Sequence, residues 1–335
     1  MKPVIFGLSG LDITPDERAF FADADPLGYI LFKRNLRDRA QVLALTNELR
    51  ALAGRDDLPV LIDQEGGRVA RMGAPEWPAF PAGAAFDALY TTAPSSAIAA
   101  ARANGEALGA MLAEVGITVD CAPLLDVRQP GTTDAIGDRA FGHDAMRVAA
   151  LGRATLEGLV AAGVVGVVKH MPGHGRAVVD SHLELPVVRA SDAELEEDIR
   201  PFRTLASAPM AMTCHVVFEA WDADHPATLS PTVIRDVIRG RIGFDGLLMT
   251  DDIDMKALSG TAGEKAAAAI AAGCDVVLDC WGRMDEMAEI AGRLDDIAPA
   301  ARARLDRAMA SVVGARSGTD FAELVAKRDT LLALA

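Results

Sequence analysis

The sequence predicts an α/β protein built as a single (β/α)8 TIM barrel, on three observations. Eight short β-rich segments recur along the 335 residues, a helical stretch follows each, and their apolar runs are nearly continuous instead of alternating. Continuous runs are expected of parallel strands covered on both sides. No linker rich in Gly, Ser or Pro and no shift in composition divides the chain, which favours one barrel over two doubly wound domains. One catalytic domain over 1–335 is therefore expected, with the barrel at roughly 3–290 and C-terminal helices at 291–335.

The expected strands are 3–8, 27–33, 58–63, 116–121, 163–170, 209–216, 245–251 and 273–280. After the second, Asp38 with Gln41 reads as a capping box ahead of Val42, Leu45, Leu49 and Leu52. Their spacing places these four on one helix face, and Gly54 can close the helix in a left-handed turn. Ser191 with Glu194 repeats the signature before a 192–206 helix. Ser230-Pro231 offers an N-cap followed by proline at the first helical position, where its missing N–H costs nothing. Two stretches look irregular: 64–95, with Pro75, Pro78, Pro81 and Pro94, and 171–190, which lacks helical periodicity. Long irregular loops in a compact fold are usually functional.

Composition narrows the classes of partner. Lys and Arg number 33 against 48 Asp and Glu, a net charge of −15 that repels phosphate backbones and anionic lipid headgroups, so neither nucleic acid nor membrane is expected. No uncharged apolar run reaches the roughly 18 residues of a transmembrane helix. The apolar start Met1–Leu8 is followed by Asp12 with no small-residue cleavage pattern, and reads as a first strand instead of a signal peptide. Cys121, Cys214, Cys274 and Cys280 sit in apolar runs without Cys-x-x-Cys spacing, as buried reduced thiols of a cytoplasmic protein would. A monomer is expected, since a barrel closes without a partner.

Barrel active sites lie at the carboxyl ends of the strands. The third strand ends in Asp63-Gln64-Glu65-Gly66-Gly67-Arg68, the fifth in Lys169-His170, the sixth in Cys214-His215 and the seventh in Thr250-Asp251-Asp252. The loop after the fourth carries Asp126 and then Gly137-Asp138-Arg139. The densest constellation is Lys169-His170-Met171-Pro172-Gly173-His174-Gly175 with Asp180-Ser181-His182, where three of the six histidines fall within 13 positions. By residue type alone, plainer readings stay open. Asp251 could cap the next helix, and Asp180-Ser181-His182 could be a surface loop. Arg139 could pair with Asp126 or Asp138, and Lys169 with Glu65. His174 could shape its loop, His215 could be structural or line the pocket, and His143 and His225 read as surface residues.

Together with Val69 and in this order over roughly residues 5–280, these motifs resemble glycoside hydrolase family 3, in particular its short bacterial cytoplasmic β-N-acetylhexosaminidases. The resemblance implies a retaining enzyme without metal or cofactor. It would release terminal non-reducing β-linked N-acetylglucosamine from muropeptides or chito-oligosaccharides in cell-wall recycling. It makes Asp251 the nucleophile and His182, assisted by Asp180, the acid/base. Asp63, Arg71, Arg139, Lys169 and His170 become the sugar contacts. Such chemistry needs a carboxylate below the anomeric carbon and an acid above the departing oxygen; a histidine titrates near neutrality, and a carboxylate orients its ring. Asp252 is the expected helix cap and Asp254 a solvated residue. Met171, Arg176 and Asp251-Asp252-Ile253-Asp254-Met255 depart from the family pattern, and Arg176 could bind an anionic aglycone or face water. Three rivals remain. A histidine acid would not repel phosphate, so the enzyme could be a phosphorylase. His170, His174, His182 and Asp180 could form a metal site for a barrel hydrolase, or the chain could be a non-catalytic sugar-binding protein.

Overall fold

Val, Ile and Leu crowd the eight apolar runs, and in the computed structural model, which describes residues 1–335, each run forms a strand. In chain order the strands are β1 (Lys2–Gly7), β2 (Pro26–Leu31), β3 (Val60–Ile62), β4 (Gln64–Gly66), β5 (Val69–Ala70), β6 (Val119–Asp120), β7 (Val165–Met171), β8 (Val187–Val188), β9 (Met210–Thr213), β10 (Val217–Phe218), β11 (Asp222–Pro226), β12 (Leu247–Asp252) and β13 (Val276–Asp279). Of these, β1, β2, β3, β6, β7, β9, β12 and β13 pair in parallel in that order, and β13 returns to β1 to close the barrel.

Side chains alternate across each strand, yet both faces are dry. Ile5, Leu61, Val119, Val165, Val167, Met210, Met212, Leu247, Met249 and Val276 form one buried cluster. Their neighbours Val4, Phe6, Val60, Ile62, Val168, Ala211, Leu248 and Val277 belong to a second, larger cluster that includes the outer helices. This is why the runs are apolar at every position. The C-terminal helix Pro299–Ala310 adds Leu305, Ala308 and Met309 to the first cluster. The last helix, Phe321–Leu332, packs on the long helix Pro94–Glu114, where Arg328 donates to Asn104 at 3.3 Å.

The expected caps form, with one difference. Asp38 accepts from the Gln41 amide at 2.8 Å ahead of the helix Arg39–Ala53, and Gly54 closes it at φ 63°. The Gln41 side chain, however, accepts from Arg37 N and donates to Leu11 O, so the box is not reciprocal. Ser191 and Glu194 do exchange both bonds before Asp192–Thr204. The Ser230 hydroxyl accepts from Val233 N at 3.0 Å, starting the helix Val233–Ile242.

The stretch 64–95 is more ordered than its prolines suggest. β4 and β5 pair as an antiparallel hairpin, and a helix spans Gly83–Thr92. Gln64 ties the hairpin down by accepting from Arg71 N and Met72 N at 2.8 and 2.9 Å and donating to Met72 O at 3.0 Å. A side chain at Gly66, where φ is 101°, would meet Pro81 O at 2.3 Å, so the turn requires glycine. In 171–190 only β8 is regular; it pairs with β10, and β10 with β11, in a small sheet outside the barrel. Segments this short carry no readable periodicity. All four cysteines are buried and free, and no helix is long and apolar enough to cross a membrane.

At the end of β13, Asp279 is buried with Oδ2 unpartnered. Burial, then the charges of Asp252 and Glu286, push its carboxyl up to about 7. Unfolded, it would release its proton near pH ~3.9, so raising the pH through this interval removes stability from the folded chain. Asp279→Asn, an isostere of the neutral acid, should therefore gain a few degrees in thermal midpoint over the parent at about pH 8 and little at about pH 4. A pH-independent difference would contradict this account.

Candidate active site

Asp63 follows β3 directly, and the hairpin after it swings Glu65 back over the barrel mouth. Lys169, near the end of β7, meets both: Nζ lies 3.0 Å from Asp63 Oδ1 and 2.7 Å from Glu65 Oε1. Arg71 donates to Asp63 Oδ2 at 3.0 Å. Arg139 grips Glu65 through two bonds of 2.8 and 2.7 Å. Arg139 thus pairs with neither Asp126 nor Asp138, because the hairpin delivers Glu65 first; Asp138 is taken by Arg68 at 3.0 Å. The Lys169–Glu65 pair forms as expected. Burial opposes the charges of Asp63, Glu65, Lys169 and Arg139, but the opposite charges outweigh it: Asp63 and Glu65 are held below the usual carboxylate range, and Lys169 and Arg139 above their usual values.

Three cations against two acids leave this wall one positive charge in excess. It faces Asp251, near the end of β12. Burial would raise the Asp251 carboxyl, but His170, His215, the Asp252 amide (2.8 Å) and Lys169 together keep it below the usual value, so it is ionised at neutral pH. It caps no helix: the next, Ala262–Ala272, is capped by Thr261. Nor does Asp252, which accepts from Asp254 N and Cys280 N at 3.2 and 3.4 Å and is pushed up by burial to about 6. Asp254 forms an ion pair with Arg283 at 2.8 Å and is not merely solvated.

Two histidines act beneath the surface of the site. Asp126, fully buried, holds His170 Nδ1 at 2.7 Å while its other oxygen accepts the amides of His170 and His174 at 3.2 and 2.7 Å. Nδ1 is therefore the donor and Nε2 of His170 is free for the cleft. His215 Nε2 lies 2.9 Å from the Asp252 carbonyl and must donate to it; Nδ1 is 2.8 Å from the Thr228 hydroxyl. Burial lowers the basicity of His215, and the ring, held at both nitrogens, anchors the backbone beside Asp251. His215 is structural and does not line the cleft. Residue type did not reveal the parts played by Asp126 and Thr228, whose partners lie 44 and 13 positions away.

On the loop after β7, His182 Nδ1 bonds Asp180 Oδ1 at 2.7 Å, and the same oxygen accepts the His182 amide at 2.9 Å. The imidazole is 65% exposed. His174 reaches Ser181 at 3.2 Å, shaping the loop, and burial pushes it down to about 4. Arg176 does not enter the cleft; half-buried, it bonds Asp198 at 2.6 Å and Glu194 O at 3.0 Å. His143 and His225 are exposed. Asp251, His182, Asp180, Asp63, Arg71, Arg139, Lys169 and His170 all line one cleft of about 1360 Å³ including its open mouth. The four residues considered for a metal are engaged in three separate hydrogen bonds, and no three His, Cys, Asp or Glu side chains converge in ligand geometry.

Glu65→Gln keeps the shape of the wall but leaves Lys169 and Arg139 short of a buried counter-charge. Equilibrium denaturation should show a loss of about 3–5 kcal/mol. A loss below ~1 kcal/mol would mean that water already screens these charges.

Residues 11–314 match the sequence profile of the glycosyl hydrolase family 3 N terminal domain. The chain is 38% identical over 312 residues to a beta-hexosaminidase of Aromatoleum aromaticum, covering 91% of this chain and 86% of that protein. A beta-hexosaminidase of Bordetella parapertussis is 37% identical over 305 residues, covering 89% and 85%. Among solved structures, NagZ from Neisseria gonorrhoeae in complex with N-trifluoroacetyl-D-glucosamine superimposes with a TM-score of 0.87 at 31% identity, covering 100% of this chain and 98% of that one. A family 3 beta-N-acetylglucosaminidase from Paenibacillus gives 0.80 at 33% identity, covering 98% and 61%. With the profile matched along nearly the whole barrel and the same architecture in these relatives, the chain belongs to glycoside hydrolase family 3.

Proposed function

We propose that the protein is a retaining β-N-acetylhexosaminidase that releases terminal non-reducing β-linked N-acetylglucosamine from muropeptides or chito-oligosaccharides. The observation that carries this reading is the pairing, across one cleft, of an ionised, half-buried carboxylate, Asp251, with an exposed histidine–carboxylate dyad, His182 and Asp180. Relatives named beta-hexosaminidase over most of the chain support it.

Asp251 attacks the anomeric carbon, and a C–O bond to the enzyme forms as the glycosidic bond breaks. The imidazolium of His182 gives its Nε2 proton to the departing oxygen, while Asp180 on Nδ1 steadies the cation and fixes the ring. A water then loses its proton to His182 and attacks the same carbon, freeing Asp251. Asp63, Arg71, Arg139, Lys169 and His170 bind the sugar hydroxyls. Because most of these groups already hold one another, little reorganisation accompanies binding. The free buried cysteines fit a reducing, cytoplasmic setting.

Asp251→Ala should lose turnover by about a thousandfold or more, and a fluorinated N-acetylglucosamine analogue should label the parent at Asp251, as peptide mapping would show. A label elsewhere removes the nucleophile assignment. His182→Ala should lower kcat/KM for substrates with sugar leaving groups by about 10²–10⁴-fold and largely spare kcat/KM for a nitrophenolate, which leaves without a proton, while slowing the water step for both; equal losses in kcat/KM would contradict an acid role. Run in phosphate buffer, the same assay should yield free sugar, and sugar 1-phosphate as the main product would replace hydrolysis with phosphorolysis.

A further inference from the structure

Beyond Arg71, one wall of the cleft takes no part in this chemistry. The Arg71 guanidinium carbon lies 5.0 Å from the Phe32 ring centre. Arg34 lies 5.1 Å from the same ring and 5.9 Å from that of Trp281, and Arg283 stands 5.7 Å from Trp281. Three guanidinium groups and two rings thus alternate from the sugar-binding network out to the rim, each contact within cation–π range. The guanidiniums are anchored. Arg34 donates to Leu8 O at 2.7 Å and to Cys280 O, and Arg283 pairs with Asp254 and Glu286.

Trp281 differs from the rest of the row. It lines the cleft yet remains 52% exposed, at the mouth of the strand next to the one that bears Asp251. An indole offers a broad, rigid apolar face, and leaving one open to water at a cleft rim forgoes burial that most tryptophans obtain. His182 is exposed at this mouth as well, and so is Arg68. A sugar held by the buried charges with its anomeric carbon over Asp251 must point its departing substituent outward, towards the rim where Trp281 stands.

We propose that Trp281 is the platform on which the leaving-group sugar stacks its apolar face, making it a determinant of specificity for the aglycone. The proposal rests on the glycosidase reading given above. Arg34 and Arg283 limit the motion of the indole, so little side-chain entropy is lost when the ring is covered. The platform acts on the leaving group alone, since the groups that grip the other sugar lie deeper in the cleft.

The test compares the parent, Trp281→Ala and Trp281→Phe on two substrates with the same transferred sugar. In N,N′-diacetylchitobiose the leaving group is a sugar ring; in β-N-acetylglucosaminyl azide it is linear and has no face to stack. Trp281→Ala should lower kcat/KM for the disaccharide by about tenfold, chiefly through KM, and Trp281→Phe should recover most of that loss. The azide, turned over within about twofold of the parent rate by both variants, also reports that they are folded. Equal losses on both substrates, or no loss on the disaccharide, overturn the platform. Failure of the parent to cleave either substrate would count against the glycosidase reading instead.

Discussion

The mouth of this barrel is organised by a charge problem. Lys169 is almost wholly buried, and a lone ammonium there would cost several kcal/mol, so it requires both Asp63 and Glu65. Those carboxylates in turn require Arg71 and Arg139. The network joins β3, the hairpin that follows it, the loop after β6 and the end of β7, and none of its members can move without exposing a partner to an unpaired charge. Its geometry is thereby fixed before any ligand arrives, and its surplus positive charge helps keep Asp251 ionised from across the cleft.

From that network outward the site becomes progressively looser. His170 and the backbone beside Asp251 are each fixed by a buried partner, Asp126 in one case and the Thr228–His215 relay in the other. His182, held only by Asp180, is mostly in solvent. A rigid floor under an exposed dyad suits a reaction in which one group must bond to carbon along a fixed line while another exchanges protons with water. The same gradient explains why Trp281 can stay uncovered at the rim: nothing on that side has to be excluded from solvent until a ligand covers it.

Residue 174 and the stretch around Arg176 show how far local pattern carries and where it stops. A histidine between glycines reads as a loop-shaping residue, and its bond to Ser181, seven positions on, agrees. Arg176 has no such near partner. Its carboxylate, Asp198, sits on the helix that follows, 22 positions away, and turns it from the cleft. Likewise Asp252 reads as a cap because capping is what aspartate does after a strand; instead it ties the end of β12 to Cys280 N after β13, a neighbour made by the pairing of those two strands.

The sequence by itself determined the barrel, the strand positions and the set of polar residues at the strand ends. Hydrophobic runs, caps and strand-end positions are local properties, and local properties survive in a linear string. Only the tertiary structure decided which charge meets which. Arg139 finds Glu65 across 74 positions, and His170 finds Asp126 across 44. In a low-dielectric mouth several acids compete for each cation, and the winner is chosen by the turn of one hairpin and the closure of the barrel, quantities that no residue spacing encodes.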